Sequence, residues 1–283
     1  MLGISPSAVN DAALLDDLAL LVDEPPDDTR LTDIAPTVKA TYPKYLAAGN
    51  RVTRLTSVIT DDDDIVRLKE DCWSALGRVA FQSIKAGILG AAGGLCCHCG
   101  HASAGEIDHY LPKSPFPEFT VFTPNLLPAC RRCNGIKSSV YSRANGAPRF
   151  LHPVYHPLPD EDYLVAAVDV AATVLVNYSV QQTSGMSPSR FRTLQSHFEA
   201  LKLGAYFQDE AVRVLSEQLA SYYAYFRDGQ ANGVSKYLRR EAQSNRVRYG
   251  RAHWKPVLLQ ALAGSAEFCD GGFRVLGAEQ VID

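Results

Sequence analysis

Residues 96–100 read Cys-Cys-His-Cys-Gly, and residues 130–134 read Cys-Arg-Arg-Cys-Asn. Each segment contains one CxxC pair, and the two pairs together offer four thiolates: Cys96, Cys99, Cys130 and Cys133. Two such pairs form a tetrahedral zinc site without an open coordination position, and a closed site of this kind is structural rather than catalytic. The spacing therefore predicts a structural Zn²⁺ ion that joins the two segments.

Three further cysteines lie outside this pattern: Cys72, Cys97 and Cys269. The CxxC spacing leaves Cys97 out of the best ligand arrangement. The neighbouring His98 and His101 are alternative ligands by residue type, but we expect them to be exposed residues of the first knuckle. An odd total of seven cysteines argues against a disulfide framework and favours metal ligation in a reducing compartment.

The 30 residues between the two knuckles exceed the loop of a simple zinc ribbon, so another unit is folded inside them. The loop contains Glu-Ile-Asp-His-Tyr-Leu-Pro-Lys at 106–113 and Thr-Pro-Asn-Leu-Leu-Pro at 123–128, and Asn-Gly-Ile-Lys follows the second knuckle at 134–137. Taken in order, these segments resemble the HNH endonuclease motif of the ββα-metal fold, in its cysteine-framed form. The resemblance covers roughly residues 95–140.

The resemblance implies separate roles for four residues. His109 is the general base that activates a water molecule, because neutral imidazole accepts a proton near pH 7. Asp108 and Asn134 supply hard oxygen ligands for one catalytic Mg²⁺ or similar divalent ion. Asn125 holds the loop that carries the base. Asn134 stands where many family members carry histidine, and this HNN variant shifts the expected metal toward Mg²⁺.

The same resemblance implies two short strands and a helix between about residues 106 and 140, with Asp108 and His109 at the end of the first strand and Asn134 in the helix. Four basic residues near the motif are candidate contacts for substrate phosphates: Lys113, Arg131, Arg132 and Lys137. Ordinary solvated charge is the alternative for each of them. Glu106 either supports the metal ligands or is an exposed strand carboxylate.

Outside this module the sequence predicts mainly helices. Apolar residues recur at helical spacing from Ile65 to Ile88 and predict one long helix that ends near Gly93. The acidic run at 61–64 is expected to cap that helix rather than to bind a metal. Residues 163–180 favour a β-hairpin, and further helices are expected from residue 187 onward.

The expected fold class is therefore α+β, with mainly helical arms around a small ββα-metal module that contains a structural four-cysteine zinc site. We expect a helical N-terminal region over residues 1–94, the nuclease module with its zinc knuckles over 95–157, and a mostly helical C-terminal region over 158–283. His152 and His156 lie in a proline-bracketed loop at the end of the module. Packing or surface positions are expected for both histidines.

The net charge of −3 is not the strongly basic balance of a chain that coats nucleic acid. Charge is unevenly distributed, however, because residues 236–255 contain seven basic residues against Glu241 alone. Tyr237, Tyr249 and Trp254 interrupt this basic segment. It either follows a nucleic-acid backbone with stacking surfaces or is the solvated face of a helix whose aromatic residues are core.

No apolar run is long enough to span a bilayer, and the N-terminus lacks the positive leading segment of a secretory signal, so we expect a cytoplasmic protein. The leading hypothesis is a Mg²⁺-dependent endonuclease that acts on DNA. Helical arms around an HNH unit also resemble the nuclease subunits of bacterial anti-phage systems such as Septu, which implies a defence effector with an ATPase partner. The alternatives are a non-catalytic zinc module that binds nucleic acid or protein, and a nuclease for RNA or single strands.

Overall fold

Helices and two small antiparallel sheets make up the computed structural model, which describes residues 1–278. The expected α+β class, with mainly helical regions, a small ββα element and a buried four-cysteine cluster, is confirmed. The chain divides into two units, residues 1–157 and the residues from 158 onward. The N-terminal helices and the cysteine-rich segment thus belong to one unit, and the division into three regions remains a prediction.

Three helices begin the first unit: α1 (Asp11–Val22), α2 (Arg30–Lys39) and α3 (Tyr42–Ala48). Asp23 connects the first two, because its buried carboxylate accepts hydrogen bonds from the backbone N–H groups of Leu31 and Thr32 at the start of α2 (3.0 and 2.8 Å). Tyr45 of α3 is fully buried. This helix therefore packs with an aromatic side chain directed into the core rather than lying on the surface.

The single long helix expected from residue 65 to residue 88 is wrong. The structure instead has α4 (Asp62–Val66), a π-helical turn (Arg67–Cys72), α5 (Trp73–Leu76), a short 3-10 turn (Val79–Phe81) and α6 (Gln82–Gly90). The break follows Gly77, where Arg78 takes an extended conformation with φ −71° and ψ 161°. An extended residue cannot continue the i to i−4 hydrogen bonds of a helix. The helix therefore ends here, although the spacing of apolar residues in the sequence stays helical.

The acidic run at the start of α4 caps that helix, as expected. The carboxylate of Asp61 accepts hydrogen bonds from the backbone N–H groups of Asp63 and Asp64, both at 3.1 Å. Arg30 also contacts the run, with its Nη1 2.9 Å from Asp64 Oδ1. The negative charges at this position are therefore satisfied by a helix N-terminus and one guanidinium.

The cysteine-framed segment contains the expected two strands and helix. β1 (Glu106–His109) pairs antiparallel with β2 (Leu126–Ala129), so that Glu106 lies opposite Ala129 and His109 opposite Leu126. The helix that follows is α7 (Arg131–Lys137), whose first turn begins at the second knuckle. Asp108 and His109 end the first strand and Asn134 lies in the helix, as the sequence predicts.

The second unit starts with a hairpin, which confirms the strand prediction for residues 163–180. Its strands and helices are β3 (Leu164–Val170), β4 (Val174–Val180), α8 (Pro188–Ala200), α9 (Leu203–Glu217), α10 (Leu219–Tyr249), α11 (Trp254–Gly264) and α12 (Ala266–Cys269). α10 is kinked where Gly229 and Gln230 depart from helical backbone angles. Among residues 1–278, no helix has the length and apolar character needed to cross a membrane.

Candidate active site and zinc centre

The four knuckle cysteines form one buried cluster. Their Sγ atoms all lie within 4.8 Å of one another, and the members are Cys96, Cys99, Cys130 and Cys133. A tetrahedral ion with Zn–S bonds near 2.3 Å holds its sulfur atoms about 3.8 Å apart, so the donor set and its spacing fit Zn²⁺. In the part of the chain that the structure describes, no other group of three or more histidine, cysteine or acidic side chains is gathered in this way.

Local backbone structure positions each pair of thiols. In the first knuckle the N–H group of Gly100 donates to the carbonyl of Cys96 at 2.8 Å, and Gly100 has a φ of +68°. A residue with a Cβ atom is strained in this left-handed region. In the second knuckle the N–H group of Cys133 donates to the Sγ atom of Cys130 at 3.4 Å at the start of α7. The pattern CxxCG thus follows from the turn that brings two sulfur atoms together.

Asp108 lies buried between a lysine and a histidine. Its Oδ1 is 2.9 Å from Lys137 Nζ, and its Oδ2 is 2.8 Å from His98 Nε2. Burial raises the pKa of Asp108, but Lys137 and His98 together lower it by a larger amount, so the pKa lies below its ordinary value. Asp108 is therefore a carboxylate whose charge is balanced within the protein.

Two expectations for this group need correction. Lys137 is fully buried and also donates to the backbone carbonyl of His109 at 2.6 Å, so its ammonium does not face solvent as a phosphate contact would. His98, expected at the surface of the knuckle, is 1% exposed. Both differences have one cause, because a buried carboxylate requires charged or hydrogen-bonding partners.

His109 is partly exposed at the end of β1. Its Nε2 lies 2.9 Å from the backbone carbonyl oxygen of Thr120, which can only accept a hydrogen bond, so Nε2 carries the proton and Nδ1 is the basic atom. Burial of the ring lowers the pKa of His109 to about 4. The imidazole is consequently neutral near pH 7 and can accept a proton at Nδ1.

Asn125 holds the loop after β1 by its side-chain amide. Its Oδ1 accepts from the N–H group of Leu111 at 2.8 Å, and its Nδ2 donates to the carbonyls of Leu111 and Phe119 at 3.0 and 3.1 Å. The side chain is completely buried. The amide thus links the residues just after His109 to the segment that supplies the Thr120 carbonyl. This geometry is what the expected loop-holding role requires.

A tyrosine and a histidine extend this network into the core. The hydroxyl of Tyr45 donates to Asn125 Oδ1 at 3.1 Å and lies 3.2 Å from His152 Nε2. His152 Nδ1 accepts from the N–H group of Val154 at 3.2 Å, so Nε2 carries the proton and donates to the tyrosine. Burial lowers the pKa of His152 to about 3. His152 and the similarly buried His156 are packing residues.

Asn134 faces the other carboxylate of β1. Its Nδ2 donates to Glu106 Oε2 at 2.8 Å, and both residues are only partly buried. They border a cavity of about 330 Å³ between β1, α7 and the helical segment that precedes the first knuckle. Glu106 is therefore neither isolated on the surface nor bonded to Asp108; it is the acceptor that orients the Asn134 amide.

Trp73 lies beside His109. The two rings meet edge to face, with centroids 4.5 Å apart and planes 63° apart. The ammonium of Lys113 lies 5.3 Å from the centre of the Trp73 ring and donates to the carbonyl of Lys69 at 3.3 Å. Burial lowers the pKa of Lys113. Lys113, one of the four candidate phosphate contacts, and His109, the candidate general base, thus lie against the same Trp73 ring.

The remaining basic candidates lie at the start of α7. Arg131 is exposed and Arg132 partly exposed, so both guanidinium groups are accessible beside the second knuckle. In the second unit, the aromatic residues of the basic segment pack within the protein: Trp254 is buried, and Tyr237 stacks on Tyr225 with centroids 4.4 Å apart. This packing favours the solvated helix face over a stacking surface for that segment.

Comparisons with known proteins give two partial matches. The chain is 27% identical over 204 residues to protein ea31 of Escherichia phage lambda, which covers 65% of this chain and 66% of the phage protein. It is 38% identical over 55 residues to the Septu protein PtuB of Bacillus thuringiensis, which covers 19% of each chain. The chain thus spans just under two thirds of the first relative and about a fifth of the second.

No family model matches the chain, and no solved structure matches it. The four-cysteine cluster supports the coarse expectation of a protein framed by a zinc site, and the match to the Septu protein is a partial similarity in sequence.

Sequence reasoning missed three residues of the site: Tyr45, Trp73 and His98. His98 stands between Cys96 and Cys99 in the sequence, which predicts an exposed position in the knuckle. Its hydrogen-bond partner Asp108 is 10 residues away, and no motif joins the two. Tyr45 is 80 residues from Asn125 and carries no motif. Trp73 fits the apolar face of an amphipathic helix, and that pattern does not indicate the break after Gly77. No local signal connects either aromatic residue to the motif.

Proposed function

We propose that this protein is a metal-dependent HNH endonuclease that hydrolyses phosphodiester bonds of DNA. The observation that carries the proposal is the state of His109, a neutral imidazole at a strand end whose Nε2 is held by the Thr120 carbonyl and whose Nδ1 is basic. Asn125 fixes the surrounding loop. A zinc-framed ββα element carries all of these groups, in the order of the HNH motif.

His109 acts as the general base. Its Nδ1 accepts a proton from a water molecule while the water oxygen attacks phosphorus, and the phosphorus–oxygen bond on the opposite side breaks. The leaving oxygen then takes a proton from solvent. The fixed Nε2–H···O=C hydrogen bond stabilises the imidazolium that forms, because the carbonyl continues to accept from the charged ring.

The proposed ligands of the catalytic Mg²⁺ are Asp108 and Asn134, whose oxygens are the hard donors that this ion prefers. When bound, the ion absorbs negative charge on the phosphate and on the leaving oxygen. The donor chemistry fits, since each oxygen of Asp108 keeps a lone pair beyond the one that Lys137 or His98 uses. Lys137 and His98 would keep the carboxyl of Asp108 ionised, which a hard cation requires.

The pairing of Asp108 also supports a second candidate function. A carboxylate that is neutralised by Lys137 and His98 stabilises a fold without any catalytic ion. The second candidate is therefore a non-catalytic zinc module that binds nucleic acid or protein. The two candidates differ in one respect that can be measured, since only the nuclease requires a proton acceptor at His109.

The deciding experiment compares the wild type with His109→Ala and with the exposed-residue control Lys44→Gln. Each is incubated with supercoiled DNA, linear duplex, single strands and RNA, with and without added Mg²⁺. We expect Mg²⁺-dependent cleavage by the wild type and the control, and a rate lower by about 10²- to 10⁴-fold for His109→Ala. Equal cleavage by His109→Ala, or no cleavage of any substrate by the wild type, contradicts the proposal; cleavage of RNA alone reassigns the substrate.

A role in anti-phage defence, together with an ATPase partner, is the further part of the proposal. It is supported by the similarity to the Septu protein PtuB over 55 residues. Bacteria that carry the native locus should lose protection against phage infection when His109 is replaced by alanine, as measured by plaque counts. Purification of the wild-type chain from such cells should recover an ATPase in stoichiometric amount. Protection that survives His109→Ala contradicts an effector role for the nuclease.

A further inference from the structure

A cavity of about 330 Å³ is lined in part by Trp73, the neighbour of the candidate general base His109. Its volume lies within the range of small-ligand pockets. Its lining combines apolar and polar side chains: Trp73, Leu76, Ile107, Lys85, Glu106 and Asn134. The apolar part includes an indole ring, and the polar part offers one ammonium, one carboxylate and one amide. All of these residues belong to the first unit.

Trp73 connects the cavity to the site. Trp73 lines the cavity, and its ring contacts His109 edge to face, with centroids 4.5 Å apart. The π-helical turn Arg67–Cys72 immediately precedes it, and Gly77 ends the helix one turn later. The Trp73 ring is thus held on a short irregular segment, in direct contact with the candidate general base His109.

We propose that this cavity binds the nucleobase adjacent to the scissile phosphate, with the base stacked on Trp73; the inference rests on the proposed function and specifies its substrate. Aromatic rings stack bases in single-stranded or unpaired nucleic acid, because every base has a π face. A base in a continuous duplex is stacked on its neighbours and has to leave the stack before it can enter, which costs free energy. The favoured substrate is accordingly a nucleic acid with at least one unpaired nucleotide at the cleavage site.

The polar lining specifies the base further. Glu106 is an acceptor, with one oxygen bonded to the Asn134 amide and the other left to accept from a ligand. Cytosine and adenine present an exocyclic amine to such an acceptor, whereas thymine presents a carbonyl. Lys85, which is exposed at the cavity, is placed to contact the neighbouring phosphate. The cavity therefore prefers an amino-bearing base.

Tryptophan fluorescence tests the subsite without any cleavage. The chain contains two tryptophans, so Trp254→Phe leaves Trp73 as the only one, and the difference between wild type and Trp73→Phe reports the same signal if Trp254→Phe folds poorly. The ligands are dC8, dT8 and an eight-residue abasic strand, in buffer without added Mg²⁺ so that the structural zinc is retained. We expect quenching of Trp73 by dC8, with an affinity about tenfold above that for the abasic strand.

The variants separate the contributions of the lining. Glu106→Gln should abolish the preference for dC8 over dT8, and Lys85→Gln should weaken both and reduce the salt slope of binding by about 0.7. Lys44→Gln, an exposed lysine of α3, is the matched control and should bind like the wild type. Unchanged Trp73 emission with dC8, or equal quenching by the abasic strand, overturns the inference.

Cleavage of the same strands in Mg²⁺ distinguishes this inference from the proposed function. Trp73→Ala should raise KM for a dC-containing strand about tenfold, since the stacked base contributes to binding. Cleavage with unchanged KM in Trp73→Ala overturns the subsite and leaves the nuclease intact. Quenching of Trp73 by dC8 in a wild type that cleaves nothing supports the subsite and contradicts the nuclease.

Discussion

At the scale of single residues, Asn125 shows how one side chain can determine the geometry of a site that it does not enter. Its amide makes four hydrogen bonds within the core, to Leu111 twice, to Phe119 and to Tyr45. Each of these partners is a buried group, and a buried polar group without a partner destabilises the fold. The residue therefore stabilises the loop after His109 and fixes the direction of the imidazole.

Asn125→Ala is expected to lower the free energy of unfolding by about 2–3 kcal/mol, because it leaves several buried polar groups unpaired. Urea unfolding followed by Trp73 fluorescence in a Trp254→Phe background measures the change, since Trp73 is the tryptophan of the first unit. Asn50→Ala, at an exposed position of the same unit, is the control and should change stability by less than about 0.5 kcal/mol. Equal losses in the two variants would show that the Asn125 network does not stabilise the loop.

At the scale of structural elements, the four-cysteine cluster joins short elements of different kinds. β1 and β2 are four residues long each and α7 is seven, and a hairpin of this size is at most marginally stable by itself. The four thiols instead join the turn before β1 to the first turn of α7. Metal binding and folding of this element are therefore coupled.

Cys99→Ser is expected to lose the bound zinc and to unfold or aggregate. Cys97→Ser is the matched control, since Cys97 is adjacent and buried but lies outside the cluster. Zinc content per chain, determined by mass spectrometry of the metal, should be one for the wild type and for Cys97→Ser. A Cys99→Ser protein that keeps a full zinc complement, or a Cys97→Ser protein that loses it, would disprove the assigned ligand set.

At the scale of the whole molecule, the sequence predicts contacts between residues that are close in the chain but not contacts between distant segments. The zinc ligands and the strand positions of Asp108 and His109 follow from spacing within about 40 residues, and the sequence predicts them. Tyr45 and Trp73 reach the site only because the N-terminal helices fold over it in the same unit. The motif position of Lys137 indicates proximity to the site but does not indicate burial, and the structure pairs its ammonium with Asp108 rather than exposing it to solvent.

The buried His152 couples the stability of the first unit to pH. Its neutral form is required, because Nδ1 accepts from Val154 and Nε2 donates to Tyr45, and protonation of Nδ1 removes the first of these bonds. Burial holds its pKa at about 3, with His156 and His98 lowering it and the backbone carbonyl of Pro124 raising it. The rings packed around it are those of His156, Tyr45, Tyr110 and Tyr155. In the unfolded chain the same imidazole titrates near 6.5.

Because the folded pKa lies below the unfolded pKa, the unfolded state takes up the proton first as pH falls, and stability decreases between pH 6.5 and pH 3. Lowering the pH from 7 to 5 should remove about 2 kcal/mol through this residue. Urea unfolding at both pH values measures the loss, and His152→Gln, which cannot titrate, should be less stable at pH 7 but lose about 2 kcal/mol less on acidification. If the variant and the wild type lose the same amount, the pH dependence arises from other groups, and a neutral His152 is not what connects α3 to the Asn125 loop.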